Sequence, residues 1–205
     1  MAYVLGFIAA DGSLIKNKRG ACFIEIQSTD KEIIYKIKKV LHTNLKIGAY
    51  QSKHKDYSER YRLQIGSKEI FRDLLKLGIT PKKSKTIKLP YIPDKYFSHF
   101  LRGYFDGDGC VNVCVYQQKG RNRPSTIINS GFISGSKEIL LGIKDKLTKF
   151  KIIKGGTLYQ HDRAYRLRFS ISDSLRLYKF LYGNLKNKLF LTRKKKVFEN
   201  YFKIR

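Results

Sequence analysis

The pattern of apolar and polar positions predicts the same succession of helices and strands twice along this chain. Each copy opens on an apolar run, at residues 3–10 and 95–107, that predicts a helix and ends in an Asp-Gly pair. Two strands, an amphipathic helix, two more strands and another helix follow. The predicted strands are residues 13–18, 21–28, 45–53 and 57–65 in the first copy, and 110–118, 127–134, 152–160 and 163–170 in the second. The later helices are predicted at residues 67–77 and 173–183, and a last one over TRKKKVFENYF at the end of the chain.

The match between the copies extends to individual segments. STDKEIIYKIKKVL at residues 28–41 resembles SGSKEILLGIKDKL at 134–147, and each predicts a helix with one buried stripe. Ser28 or Asp30 could cap the first of these helices. The sequence therefore predicts an α+β protein of two pseudo-symmetric αββαββα repeats, each an antiparallel four-stranded sheet backed by helices on one face. The repeats are residues 1–93, with a Pro-punctuated connector at 78–93, and residues 94–205.

The predicted sheets leave one polar face uncovered. In residues 60–66 (RYRLQIG) and 165–170 (YRLRFS) apolar side chains alternate with Arg, Gln or Ser, so the polar set faces away from the helices. Such a face could simply be solvated, but two matched basic strands favour contact with base edges in a major groove. The candidate DNA-binding residues are Lys16, Lys18, Arg60, Arg62, Gln64, Arg121, Arg123, Arg166 and Arg168.

Charge narrows the choice of partner. The 205 residues include 43 Lys and Arg against 16 Asp and Glu, a net charge of +27 spread over both halves. A polyanion is the usual partner of such a surface, although a ribosome or an anionic membrane surface would also satisfy it. No apolar run reaches the ~20 residues of a membrane span, and no signal-peptide pattern opens the chain. Three cysteines and four histidines lack zinc-ligand spacing, so an intracellular protein without a disulfide framework is expected, cytoplasmic or organellar according to its host.

The two apolar helices each carry small residues four positions apart, Gly6 and Ala10 in the first and Gly103 and Gly107 in the second. Residues at this spacing share a helix face, where another backbone can approach closely. We expect the two strips to pack against each other, which would bring the C-terminal ends of both helices together.

Those ends carry Asp11 and Asp108, each followed by glycine. Glycine is common just past a helix, but a carboxylate is disfavoured by the negative end of the helix dipole. Two neighbouring carboxylates would also repel each other. A divalent cation reverses both costs, because hard oxygen ligands suit Mg²⁺. A lone Asp-Gly pair is usually a turn, yet its duplication at paired helix ends favours a metal site.

VLGFIAADG at residues 4–12 and LRGYFDGDG at 101–109 resemble the two signature motifs of LAGLIDADG homing endonucleases, in the single-chain, monomeric form. The resemblance covers nearly the whole chain, including LGITPKKSKT before the second motif. Ala9 stands where many members of the family are acidic, and Asp106 occupies that position in the second motif. We therefore treat Asp106 as secondary.

The resemblance implies that Asp11 and Asp108 are catalytic and bind Mg²⁺, or another divalent cation such as Mn²⁺ or Ca²⁺. It implies hydrolysis of one phosphodiester on each strand of double-stranded DNA across the minor groove, leaving short 3′ overhangs, with the sheets in the flanking major grooves. Alignment of the two repeats with each other gives three further catalytic candidates: Gln27 near the first motif, and the paired lysines Lys83 and Lys194. General phosphate contact or solvation is an equal alternative for the lysines.

Three functions fit these observations. A sequence-specific endonuclease is favoured, with a target of about two helical turns whose halves differ because the repeats differ. A maturase would bind intron RNA on the same scaffold, independently of the two aspartates. A DNA-binding regulator that does not cleave is third, because both motif carboxylates are present.

Overall fold

A computed structural model describes residues 1–51, 58–117, 120, 124–185 and 188–204. These residues contain two copies of the order αββαββα, a short 3-10 helix at Lys83–Lys85 between them and one further α-helix at the end, which confirms the predicted fold class. The first copy consists of α1 (Ala2–Asp11), β1 (Gly12–Lys16), β2 (Cys22–Ser28), α2 (Lys31–Val40), β3 (Ile47–Tyr50), β4 (Arg60–Gly66) and α3 (Lys68–Lys76). The second consists of α4 (Asp94–Asp108), β5 (Gly109–Tyr116), β6 (Ser125–Ser134), α5 (Lys137–Lys149), β7 (Thr157–His161), β8 (Ala164–Arg168) and α6 (Ile171–Tyr182), and α7 (Thr192–Ile204) follows.

Each copy forms one antiparallel sheet, with strand order β1-β2-β4-β3 in the first and β5-β6-β8-β7 in the second. The registers correspond, since Gly12 pairs with Ile26 in one sheet and Gly109 with Phe132 in the other. In β4 the central Leu63 is buried, whereas Arg62 and Gln64 are exposed. The helices thus cover one face of each sheet and leave the other open.

Strands β3 and β7 are shorter than the sequence pattern predicted. β7 begins at Thr157 and not near residue 152, because Gly155 and Gly156 precede it and Gly156 has a φ of 150°. β3 ends at Tyr50, and the remainder of its predicted span partly lies outside the described residues. The predicted helices of both copies are present within one or two residues of their expected ends.

Helices α1 and α4 pack side by side through the middle of the molecule. Their contact is apolar and buried, and Phe7, Phe100 and Tyr104 have at most 1 % of their surface exposed. A Cβ added to Gly6 would lie 1.9 Å from the carbonyl oxygen of Phe100, and one added to Gly103 would lie 2.0 Å from that of Tyr3. The two backbones therefore touch, which only glycine permits at these positions.

One apolar core continues through both repeats, so α1 and α4 belong to a shared interior. Burial on every side explains why α1 is apolar all round and shows no polar face. Within the described ranges, no helix has the length and apolar character needed to cross a membrane.

Candidate active site

Helices α1 and α4 end next to each other, and their last residues are Asp11 and Asp108. The following glycines, Gly12 and Gly109, adopt extended conformations and start β1 and β5 directly, so neither has the left-handed geometry of a usual helix cap. A Cβ at Gly12 would lie 2.7 Å from the Ile8 carbonyl oxygen, and one at Gly109 would lie 2.4 Å from that of Phe105. Glycine is thus required for the tight turn from helix into strand.

Burial and neighbouring charges shift the pKa values of the two motif carboxylates, Asp11 and Asp108. Burial, followed by the charge of Asp11, raises the pKa of Asp108 to about 7. Burial also raises the pKa of Asp11, whose side chain opens onto the cleft, and the charges of Lys194, Lys83 and Arg193 oppose that rise. Their surroundings therefore supply too little positive charge to keep both carboxylates at ordinary pKa values.

Lys83 and Lys194 occupy matching positions beside the ends of the two motif helices. Each has only 6 % of its surface exposed. Lys83 Nζ donates a hydrogen bond to the carbonyl of Gly12, and Lys194 Nζ lies 2.7 Å from that of Gly109. These two glycines are equivalent in the repeats, so each lysine binds the same point of its own motif.

Lys194 makes a more extensive set of contacts than Lys83. Its Nζ also lies within 2.7–3.1 Å of the carbonyl oxygens of Phe105, Asp106 and Gly107 at the end of α4. Burial lowers the pKa of Lys194 to about 8 and shifts that of Lys83 in the same direction. Neither lysine is a solvated surface residue; both complement helix C-terminal ends beside a motif carboxylate.

Gln27 lies in the cleft next to Asp11, in a cavity of about 540 Å³ that Arg60 and Arg193 also line. Its side chain donates to Glu25 at 2.5 Å, a buried acidic residue on the open face of β2 that sequence reasoning did not single out. In the register of the second sheet, Ile133 faces Arg166 as Gln27 faces Arg62. The two half-sites, one formed by each repeat beside its own motif aspartate, therefore differ in their polar side chains.

The predicted DNA-binding residues are distributed over the open faces. Arg60, Arg62, Gln64 and Arg168 are exposed on β4 and β8, Arg166 is half-buried, and Lys16 and Lys18 are exposed at the β1–β2 turn. Two of the arginines have protein partners that the sequence pattern did not reveal. Arg62 lies 3.4 Å from Glu25, and Arg168 Nε donates to Asn129 at 2.8 Å. Arg121 and Arg123 lie outside the described residues.

Asp106 is buried at the edge of the same cleft as Asp11, and its side chain is bound by neighbouring elements of the fold. Its Oδ2 accepts hydrogen bonds from the Tyr3 hydroxyl at 2.5 Å and from the backbone N–H of Leu191 at 2.8 Å. Burial raises its pKa to about 6. It therefore connects α1, α4 and the segment before α7, which is a structural task unlike that of Asp108.

The carboxylate oxygens of Asp11 and Asp108 suit a hard cation that completes its coordination with ligands from outside the protein. In the described part of the chain, no group of three or more His, Cys, Asp or Glu side chains forms a complete metal cage. Asp11 and Asp108 instead present two carboxylates at adjoining helix ends, a donor set that Mg²⁺ completes with waters and substrate phosphates.

Comparison with known proteins identifies the family. The model of the LAGLIDADG-like domain matches residues 1–78 and 97–181, one segment for each repeat. A probable translation initiation factor IF-2 of Methanocaldococcus jannaschii is 29% identical over 171 residues, which are 80% of this chain but 12% of that protein. The RNA polymerase subunit Rpo1C of the same organism is 28% identical over 152 residues, 73% of this chain and 16% of its own length. The chain thus spans less than a fifth of these two relatives.

Solved structures show the same fold at low identity. The meganuclease I-AabMI bound to uncleaved DNA superimposes with a TM-score of 0.65 and 14% identity, covering 98% of this chain and 88% of that one. The homing endonuclease I-SmaMI bound to cleaved DNA gives 0.65 and 15%, covering 99% and 87%. I-SmaMI on an uncleaved target in the presence of calcium ions gives 0.59 and 13%, covering 99% and 89%. With both motifs on one chain and a family model that matches both repeats, this protein belongs to the LAGLIDADG family.

Proposed function

We propose that this chain is a sequence-specific DNA endonuclease that hydrolyses both strands of a long, asymmetric duplex and leaves short 3′ overhangs. The observation that carries the proposal is the pair Asp11 and Asp108 at the adjoining ends of α1 and α4, between two basic sheet faces. Related folds have been solved on cleaved and uncleaved DNA. The enzyme acts as a monomer, because one chain contains both half-sites. Its DNA substrate places its action inside the cell.

Different residues of the chain bind the metal, position the carboxylates and contact the DNA. Asp11 and Asp108 would hold a divalent cation, Mg²⁺ in the cell, which when bound activates water and stabilises the leaving oxygen. Lys83 and Lys194 fix the turns that carry these carboxylates and place positive charge beside the reacting phosphates. Gln27 donates or accepts a hydrogen bond in the cleft of the first half-site. Arg and Gln side chains on β4 and β8 bind the flanking grooves.

A cleavage selection tests this function. A library of long randomised duplexes is incubated with the protein and Mg²⁺, beside the Asp11→Asn, Asp108→Asn double variant. We expect one long asymmetric site to be enriched among cut molecules and lost in the double variant. If no duplex is cut while structured RNA is bound, the maturase function replaces this proposal.

Calcium should stabilise the folded protein in a pH-dependent way. Without metal, a folded-state pKa of about 7 for Asp108, above that of an unfolded Asp, means that stability falls as pH rises towards 7. A bound cation offsets this loss, so calcium should raise Tm at pH 8 and have little effect at pH 5.5, where protons compete. The measurement is thermal unfolding with and without CaCl₂; an equal shift in the Asp11→Asn, Asp108→Asn variant would place the cation elsewhere.

DNA binding should weaken steeply with salt. Neutralising ~6–10 phosphates costs about 10³–10⁵ in affinity between 50 and 200 mM salt. Titration of a labelled cognate duplex with calcium in place of magnesium, over a series of KCl concentrations, measures the slope. Arg60→Ala should reduce the slope by about one phosphate. A flat response would argue against basic sheet faces as the binding surface.

A further inference from the structure

Each of the two candidate lysines, Lys83 and Lys194, lies at one end of a segment that packs on the opposite repeat. In the second half-site this is the crossing segment, residues 190–193, directly before Lys194. Lys36 of α2 donates to the carbonyl of Phe190 at 2.9 Å, and its ammonium lies 4.8 Å from the centre of the Phe190 ring. The crossing segment, from the C-terminal repeat, is thus held by a helix of the N-terminal repeat.

Two further contacts come from the N-cap and the first turn of α2. Thr192 donates its hydroxyl hydrogen to Glu32 at 2.7 Å. Arg193 Nε lies 2.9 and 3.1 Å from the two carboxylate oxygens of Asp30. On its other side the crossing segment is anchored by the Leu191–Asp106 hydrogen bond. Four successive residues before Lys194 are therefore held, Phe190 and Leu191 through the backbone and Thr192 and Arg193 through their side chains.

The first half-site has the reciprocal arrangement. Ser136, which corresponds to Asp30 in the repeat, donates to the carbonyl of Ile87 at 2.6 Å, and Lys146 donates to that of Ile92 at 2.7 Å. A Cβ at Gly135 would lie 2.6 Å from the carbonyl oxygen of Ser84, so the chain after Lys83 touches the C-terminal repeat closely. The same cross-repeat design thus occurs twice, with different side chains.

We propose that Asp30 and Glu32 are positioning residues for the second half-site, which hold the crossing segment so that Lys194 stays beside Asp108. The α2 helix starts three residues after the end of β2, the strand that presents Gln27 to the cleft. The lysine of one half-site is therefore placed by the repeat that binds the other half of the duplex. An exposed ion pair adds little stability, and the function of these contacts is placement.

The first test measures lysine accessibility and needs no activity. Wild type and the Asp30→Asn, Glu32→Gln variant are treated with an amine-reactive ester, and labelling is quantified by tandem mass spectrometry. Lys194 and Lys83 are equally buried, so Lys83 is an internal control. Labelling of Lys194 should rise about fivefold with Lys83 unchanged. No rise at Lys194, or an equal rise at both lysines, would overturn the inference.

The second test rests on the proposed function and resolves the two strands of the cognate duplex. Asp108→Asn identifies the strand that depends on the second half-site. In Asp30→Asn, Glu32→Gln we expect that strand to be cut about tenfold more slowly, with nicked duplex accumulating. Glu69→Gln, Asp73→Asn on α3 removes the same charge from an exposed helix and should match wild type. Equal slowing of both strands would overturn the inference; if wild type cuts no duplex, the proposed function fails and the labelling test decides.

Discussion

Asparagine in place of Asp108 is expected to abolish double-strand cleavage and to leave DNA binding intact. The substitution keeps the shape of the side chain but removes the charge that a divalent cation requires. A loss of about 10³-fold in rate, equivalent to about 4 kcal/mol of barrier, is the expected scale. Binding should not weaken, because the change removes one negative charge from a basic surface that faces a polyanion.

The experiment uses a duplex with a different label on each strand. Asp11→Asn and Asp108→Asn should each lose cutting of a different strand more severely, and neither should release double-strand product. Asp145→Asn, at an exposed position of α5, is the matched control for loss of one carboxylate. Cleavage by either motif variant at the wild-type rate would exclude the proposed active site.

Alanine at Gly103 is expected to destabilise the whole molecule. Its Cβ would lie 2.0 Å from the Tyr3 carbonyl oxygen and 2.9 Å from the Phe7 nitrogen, both backbone atoms that cannot rotate away. The two helices would have to move apart, although their contact lies inside a fully buried core. A loss of about 3 kcal/mol or more in the free energy of unfolding is expected, at the upper end for overpacked cores.

Urea unfolding followed by circular dichroism measures the change. Gly155→Ala is the control, because its Cβ would meet no atom within 4 Å and its φ is not in the left-handed region. Gly6→Ala should resemble Gly103→Ala, since the two glycines face each other's backbones across one contact. A Gly103→Ala protein as stable as the control would mean that α1 and α4 can move apart without cost.

The sequence pattern was sufficient for the repeats and for the motif ends. Period-2 alternation in β4 and the apolar run of α1 are local signals, and a duplication lets one copy check the other. The pair Asp11 and Asp108 could be expected together because small residues at Gly6 and Gly103 predict which helix faces meet. These features depend on neighbours within a few positions along the chain.

The remaining features depend on long-range contacts with no local signature. Arg193 and Asp30 are 163 positions apart, and nothing in the TRKKK stretch distinguishes an arginine that pairs with a distant carboxylate from one that is solvated. The sequence marks Asp106 only as a secondary motif acid, because its hydrogen bonds to Tyr3 and Leu191 form only once three elements have assembled. Lys194 could be selected by comparison of the repeats, although its carbonyl partners could not.

The pairing of α1 with α4 also constrains how the chain is made. Helix α1 is apolar on every side, yet its partner begins only at Asp94. At ~5–20 residues per second, a ribosome leaves α1 without that partner for about 5–20 s. During synthesis the N-terminal repeat must therefore shield a helix that it cannot bury alone, and this long-range closure is expected to be a slow step of folding. A chaperone that covers α1 in this interval would raise the yield of native protein without affecting the finished fold.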